Sequence, residues 1–278
     1  MPDFKNIVSK TILTPARGCV AYHDFTFSLN PYTGCVFACK YCYVREMPQA
    51  KFRGEEWGSY VDIKSNASVL VNNEIKKARG KGQRISIFMS TATDPYQWKE
   101  SKERITEAIL ESMLPILDDI DFLMIHTRSP LVKRDIELFK KFGDKILVSM
   151  TIETDSEKYR KIFTPSAPPI AARLKALKEI TEAGIPTRIS ISPMLPMTKK
   201  VAKIFKEATD TVVLDTYSLC NDGKSDRTEE MGIKKIYENI NLPQWYERDA
   251  YKKILPILEK EFGQVKTIKD DCNKCSSL

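Results

Sequence analysis

Short, β-branched apolar runs alternate along the chain with longer stretches in which apolar residues recur every three or four positions. The short runs lie near residues 25–30, 85–91, 122–127, 146–152, 187–192 and 211–215. Unbroken apolar runs of this length suit strands covered on both faces, as in a parallel sheet. The longer stretches predict helices between them. Residues 67–79 precede the second run, and 99–117 follow it with Ile105, Ile109, Met113 and Ile116 on one face. Residues 135–142, 171–183 and 199–209 follow the next three runs, and Gly184 sits where a glycine would end the second of these helices. Strands alternating with helices predict an α/β fold. Six such units are too few for a closed eight-stranded barrel, so a partial, TIM-like (β/α)6 barrel is expected. A helical pattern at 248–262 and a polar tail with Cys272 and Cys275 predict a C-terminal helical extension with a cysteine-containing tail. The expected division is an N-terminal extension at 1–24, a barrel core at 25–220 and the C-terminal extension at 221–278.

Composition narrows the class. The 278 residues are 42% hydrophobic and 29% charged, which fits a folded globular chain and argues against disorder. No run approaches the ~18 apolar residues of a membrane span. The opening MPDFKNIVSK has no apolar secretory core, so a cytoplasmic protein that does not enter a membrane is expected. The net charge of +7 permits an anionic partner without requiring one.

The cysteines change the picture most. Seven are too few for a disulfide scaffold. Three of them, Cys35, Cys39 and Cys42, fall within eight residues in the spacing C-x3-C-x2-C, directly after the first strand, on a loop opened by Pro31 and Gly34. Parallel α/β sheets place their chemistry at the carboxyl ends of strands. A closed structural zinc site needs four protein ligands, whereas three thiolates on a [4Fe–4S] cube leave one iron open for a small molecule. The other reading is a non-catalytic zinc-thiolate module that binds nucleic acid, its site completed by Cys19, His23 or the tail cysteines. Cys272 and Cys275 read as a redox dithiol, as part of a second metal site with Cys220, or as plain thiols. His126, inside an apolar run, reads as a core histidine with its hydrogen bonds satisfied.

The triplet, with Tyr41 as the aromatic before the last cysteine, resembles the radical S-adenosylmethionine (SAM) superfamily. The segments Thr91-Ala-Thr-Asp-Pro-Tyr96, Thr127-Arg-Ser-Pro130 and Phe163-Thr-Pro-Ser-Ala-Pro168, with Arg173, resemble its spore photoproduct lyase-like branch. The resemblance implies a radical SAM enzyme. A [4Fe–4S] cluster on Cys35, Cys39 and Cys42 would cleave SAM to a 5′-deoxyadenosyl radical that takes hydrogen from a substrate. It further implies that Thr93 meets the SAM amino group, Arg128 its carboxylate, Thr151 and Glu153 the ribose, and Tyr41 and Ser192 the adenine. A flavodoxin- or ferredoxin-like electron donor is implied as a partner. Tyr41, Tyr43 and Tyr96 are the candidates for relaying a radical, or for packing around the cluster. Nucleic acid enters as a substrate class through the resemblance, with peptides and small metabolites open. Spore photoproduct lyases carry a hydrogen-donor cysteine just after the second strand. Here that stretch reads Thr91-Ala92, and no cysteine falls between Cys42 and Cys220, which counts against thymine-dimer repair by that route.

Overall fold

A computed structural model describes residues 2–18, 20, 24–217 and 226–267. All six apolar runs form strands: β3 (Phe27–Leu29), β6 (Ser86–Met89), β7 (Phe122–Thr127), β8 (Ile146–Thr151), β9 (Thr187–Ile191) and β10 (Val212–Leu214). They pair in parallel in that order, in registers such as Ile87↔Leu123 and Met150↔Ile189. β7 and β8 are buried along most of their length, which explains why they read as unbroken apolar runs. The mixed α/β partial barrel is therefore the expected architecture. At one edge β2 (Leu13–Pro15) adds antiparallel to β3, and at the other β11 (Lys266–Thr267) adds parallel to β10. A second sheet, of order β1-β5-β4, joins β1 (Asp3–Ile7), β5 (Tyr60–Lys64) and β4 (Tyr32–Thr33).

The helices follow their apolar stripes. α1 (Ala67–Arg79) buries Ala67, Val71, Ile75 and Ala78, one turn apart on one face. The stretch 99–117 is not one helix. A single turn at Glu100–Glu103 ends at Arg104, whose φ is +51°, and α2 (Ile105–Met113) starts afresh. The cause is Glu100. Its fully buried carboxylate accepts the N–H of Thr106 at 3.1 Å, the Tyr32 hydroxyl, and Nη2 of Arg134 at 2.8 Å. The carboxylate thus serves donors at the start of α2 that a continuous helix would bond within itself. A 3-10 stretch, Leu114–Asp119, completes the region.

α3 (Ile136–Phe142) is preceded by a 3-10 stretch, Pro130–Asp135, and α4 (Glu157–Phe163) was not anticipated. α5 (Ile170–Glu182) ends before Gly184, whose φ of +82° matches the expected terminator. α6 (Val201–Lys206) is shorter than expected. The C-terminal part holds α7 (Ile233–Asn239) and α8 (Leu255–Phe262). The expected helix 248–262 divides into a 3-10 turn and α8, with a proline in the first turn of α8.

Two apolar cores result. The larger lies between the main sheet and its helices. The smaller unites Tyr32, Val36, Phe37, Cys39, Tyr41, Val61 and Ile63 with Phe163, Ile233 and Tyr237, so the cysteine loop is held by the small sheet on one side and by α4 and α7 on the other. Cys19, Cys220, Cys272, Cys275 and His23 lie outside the described residues. Among the described residues, no helix is long and apolar enough to cross a membrane.

Candidate active site at the cysteine loop

The loop leaves β4 through Gly34, whose φ is +92°. A Cβ at this position would stand 2.3 Å from the Tyr60 carbonyl oxygen and 2.9 Å from its ring, so only glycine fits the turn. Thr93 then ties the turn down: its hydroxyl donates to the Gly34 carbonyl at 2.5 Å. Gln97, one helical turn later, donates to Thr93 Oγ1 at 3.3 Å and accepts the Val36 N–H at 3.1 Å. Further along, the Lys40 N–H donates to the Phe163 carbonyl.

All three thiols are reduced; Cys39 is buried, while Cys35 and Cys42 are half-buried. Burial pushes Cys39 up to about 12, with Arg128 opposing it. Burial, then Asp94 and the two other thiols, raises Cys35, and burial raises Cys42. A thiol must lose its proton to bind a metal, so these three are donors only where a metal displaces their protons. Among the described residues, no group of three or more His, Cys, Asp and Glu side chains closes on a single-ion position. One thiol for each of three irons is a wider arrangement than the tetrahedral shell of a lone zinc. Three thiols on one loop are the donor type that holds an iron–sulfur cube, one for each of three irons.

Next to the loop, Glu153 gathers three partners. Its Oε1 accepts the Tyr41 hydroxyl at 2.5 Å and Nε of Arg128 at 2.7 Å, and its Oε2 accepts Nη1 of Arg173 at 2.9 Å. The residue is 1% exposed. Burial alone would raise its pKa, but Arg128 and Arg173 outweigh that and hold it near 2. Arg173, itself fully buried, also donates to the Thr151 carbonyl at 3.1 Å and the Pro168 carbonyl at 2.9 Å, and its Nη2 has no partner.

The remaining candidates line the same ends of the strands. Asp94 accepts the Tyr96 N–H at 2.9 Å, closing the turn through Pro95, and also accepts from the Thr127 hydroxyl and the Arg128 N–H, both at 2.7 Å. Thr151 shares its hydroxyl with Nε2 of His126 at 2.9 Å, and the other ring nitrogen meets Ser149 at 3.1 Å. His126 is thus satisfied on both sides, and burial lowers its pKa to about 3. Ser192 donates to Asp215 Oδ2 at 2.9 Å, while Asp215 Oδ1 is buried without a partner. Burial pushes Asp215 up to about 7. The Tyr41 ring lies 6.1 Å from that of Tyr217. Tyr43 is 45% exposed and donates to the Thr91 carbonyl. Tyr96 is fully buried, its hydroxyl committed to Asp135 at 2.8 Å.

Three contributors escaped the sequence reading. Gln97 had a signal, one helical turn after Thr93. Asp215 had one too, an acidic residue ending an apolar strand. Arg173 was visible only as part of a motif, because its link to Glu153 spans two elements.

Known proteins resemble this arrangement. An uncharacterized protein of Methanocaldococcus jannaschii is 38% identical over 170 residues, 61% of each chain, so the match leaves over a third of that relative unspanned. An uncharacterized protein of Acidianus two-tailed virus is 31% identical over 251 residues, 84% of this chain and 79% of its own. A spore photoproduct lyase double mutant with bound AdoMet and dinucleoside spore photoproduct superposes with a TM-score of 0.65, covering 95% of this chain and 81% of that one. At 12% identity, that likeness is one of fold. The family model described as the radical SAM superfamily matches residues 29–208, from β3 through the end of α6, and the chain belongs to that superfamily.

Proposed function

We propose that this chain is a radical SAM enzyme whose [4Fe–4S] cluster is held by Cys35, Cys39 and Cys42, with SAM beside it at the carboxyl ends of the strands. The observation that carries this reading is three free cysteines on one pinned loop, inside the segment that the family model matches. The chemistry that the bound pair supplies is one-electron cleavage of SAM and abstraction of a substrate hydrogen.

The protein's own groups bind and orient. Arg128 spends Nε on Glu153 and has its two terminal nitrogens without partners among the described residues; these suit a bidentate bond to the SAM carboxylate. Thr93 fixes the loop through Gly34, and its hydroxyl oxygen retains acceptor capacity for the SAM amino group. Thr151 offers its hydroxyl to the ribose only by sharing it with His126. Glu153 is already served by three donors, so it acts by holding Arg128 and Tyr41, and a ribose contact would require one of them to move. Ser192 and the Tyr41 backbone are the adenine side. Of the three tyrosines, Tyr43 is the candidate to meet a substrate, since it is exposed while Tyr41 and Tyr96 are buried with their hydroxyls on carboxylates. The electron donor is a flavodoxin- or ferredoxin-like protein. The substrate class is nucleic acid, which accords with the +7 charge.

The test is anaerobic reconstitution with iron and sulfide, followed by SAM and dithionite. A brown protein that forms 5′-deoxyadenosine, with loss of both properties in a Cys35/Cys39/Cys42 triple alanine variant, is the expected result. A colourless zinc protein, or product formation that survives the triple variant, overturns it. A gel shift with DNA and RNA that weakens with salt is expected for the substrate class, and no binding at low salt refutes it.

A further inference from the structure

The surface beside the cysteine loop carries cations that the fold itself leaves unpaired. Lys40, the residue after Cys39, is exposed, and its N–H donates to the Phe163 carbonyl at the end of α4. Arg45, in the 3-10 turn Tyr43–Glu46 that follows Cys42, is also exposed, and its Nη1 donates to the Lys40 carbonyl at 3.2 Å. Lys158 and Lys161 are exposed on α4, three residues apart and so on one face, with Lys161 two residues before Phe163. Among the described residues, none of these four cations has a carboxylate partner.

Carboxylates on the same elements are already used. Glu46 pairs with Lys51 at 2.7 Å, and Glu157 with Arg160 at 2.6 Å. Glu230, exposed on the short helix Asp226–Glu230 that packs against the 3-10 turn, offsets one of the four charges at most. An apolar group adjoins them. Phe52, at 88%, is the most exposed large apolar side chain among the described residues. It ends the helical turn Pro48–Lys51, its N–H on the Pro48 carbonyl, and the Lys51–Glu46 ion pair holds that turn against the one bearing Arg45. One exposed apolar residue is ordinary by itself. Beside unpaired cations it supplies the apolar anchor of a charge-rimmed interface.

The position of this patch says more than its charge. The chemistry proposed above consumes one electron from outside for each SAM cleaved. Electron tunnelling weakens exponentially with distance, so a donor must dock on the surface nearest the cluster. Lys40 is one residue from Cys39, and Arg45 is three from Cys42. We infer that this patch is the docking surface for an acidic one-electron carrier protein, with Lys40, Arg45, Lys158 and Lys161 meeting its carboxylates and Phe52 its apolar centre. The inference rests on the radical SAM reading. The carrier is oxidised by one electron, the cluster is reduced by one, and no bond forms between the proteins. Such an encounter suits a small, transient interface in which charge speeds association and fixes orientation.

The probe is a flavodoxin, a small acidic protein that carries its electron on FMN. Calorimetry on the as-purified full chain at low salt reads docking and needs no iron. The expected result is binding that weakens with salt, and that weakens about tenfold or more in a Lys40→Gln/Arg45→Gln/Lys161→Gln variant. A Lys76→Gln/Lys77→Gln/Lys81→Gln variant removes equal charge at the end of α1 and should bind as the wild type does. Phe52→Ala should also weaken binding. In the reconstituted protein, bleaching of the cluster by flavodoxin hydroquinone should slow about tenfold in the first variant, while bleaching by dithionite keeps its rate. No binding at low salt, equal loss in the two charge variants, or equal slowing with dithionite overturns the assignment. So does DNA or RNA binding that depends on these cations while flavodoxin binding does not, which makes the patch a substrate contact. A failure to form 5′-deoxyadenosine with dithionite, while flavodoxin binding still depends on the patch, would sink the enzymatic reading alone. Product formation without that dependence would sink the docking surface alone.

Discussion

Two carboxyl groups stand just past the ends of strands two apart in the sheet, and burial has opposite outcomes for them. Glu153, after β8, meets two guanidinium groups and a phenol and stays ionised, near 2. Asp215, after β10, meets the Ser192 hydroxyl and the Thr216 backbone N–H but no cation, and burial pushes it up to about 7. The cost of removing each from water has the same sign, so what differs is the partner set. The β7–β8 side of the mouth is thus a fixed, charge-compensated frame. The β9–β10 side carries a carboxyl that holds its proton close to neutrality.

Breaking the frame should have the largest effect. Glu153→Gln leaves the buried Arg173 uncompensated and should cost about 3–5 kcal/mol of stability in urea unfolding at pH 7. Because the Glu153 pKa is depressed in the fold, its contribution is present above about pH 4.5 and fades as pH falls toward 2. The wild-type protein should therefore lose stability across that window in a way the variant does not. Equal unfolding midpoints for the two at pH 7 would break the comparison.

Asp215→Asn should act in the opposite direction. A carboxyl whose folded pKa is raised destabilises the fold as it ionises, so wild-type stability should fall between about pH 4 and pH 7 and level off above. The variant should be flat there and more stable at pH 8 by about 1–2 kcal/mol, a figure reduced for partial exposure of the residue. Thermal melts across that pH range decide it, and a less stable variant at pH 8 would place a cationic partner near Asp215.

Tyr41→Phe removes one of the three donors to Glu153 and should cost about 1 kcal/mol, while moving the acid limb of the stability profile upward in pH. Ser192→Ala should be the mildest change, about 0.5 kcal/mol. It should raise the Asp215 titration midpoint seen by carbon NMR, since the serine hydroxyl favours the ionised form.

The six parallel strands from β3 to β10 were readable because each is a short, mostly buried and largely apolar run, and α1 and α5 because their stripes continue unbroken. What escaped was decided at long range. Nothing local in 99–117 announces the break at Arg104, since it follows from a carboxylate that also serves Tyr32 and Arg134. β5 (YVDIK) and the two-residue β11 were not anticipated. At the site, the cysteine spacing was legible because one loop carries it. Arg128 and Glu153 were each legible as candidates, but their pairing was not. Nor was its extension to Arg173 and Tyr41, because the four residues come from separate elements that only the fold assembles.

The small sheet has a practical corollary. β1 comes from the first few residues, yet it lies beside β5, which in turn carries β4 and the entrance to the cysteine loop. Two strand widths, roughly 10 Å, thus separate β1 from the residues that lead into the loop. Deleting Asp3–Ile7 would therefore unsettle the entrance to the loop from a position that looks remote on paper.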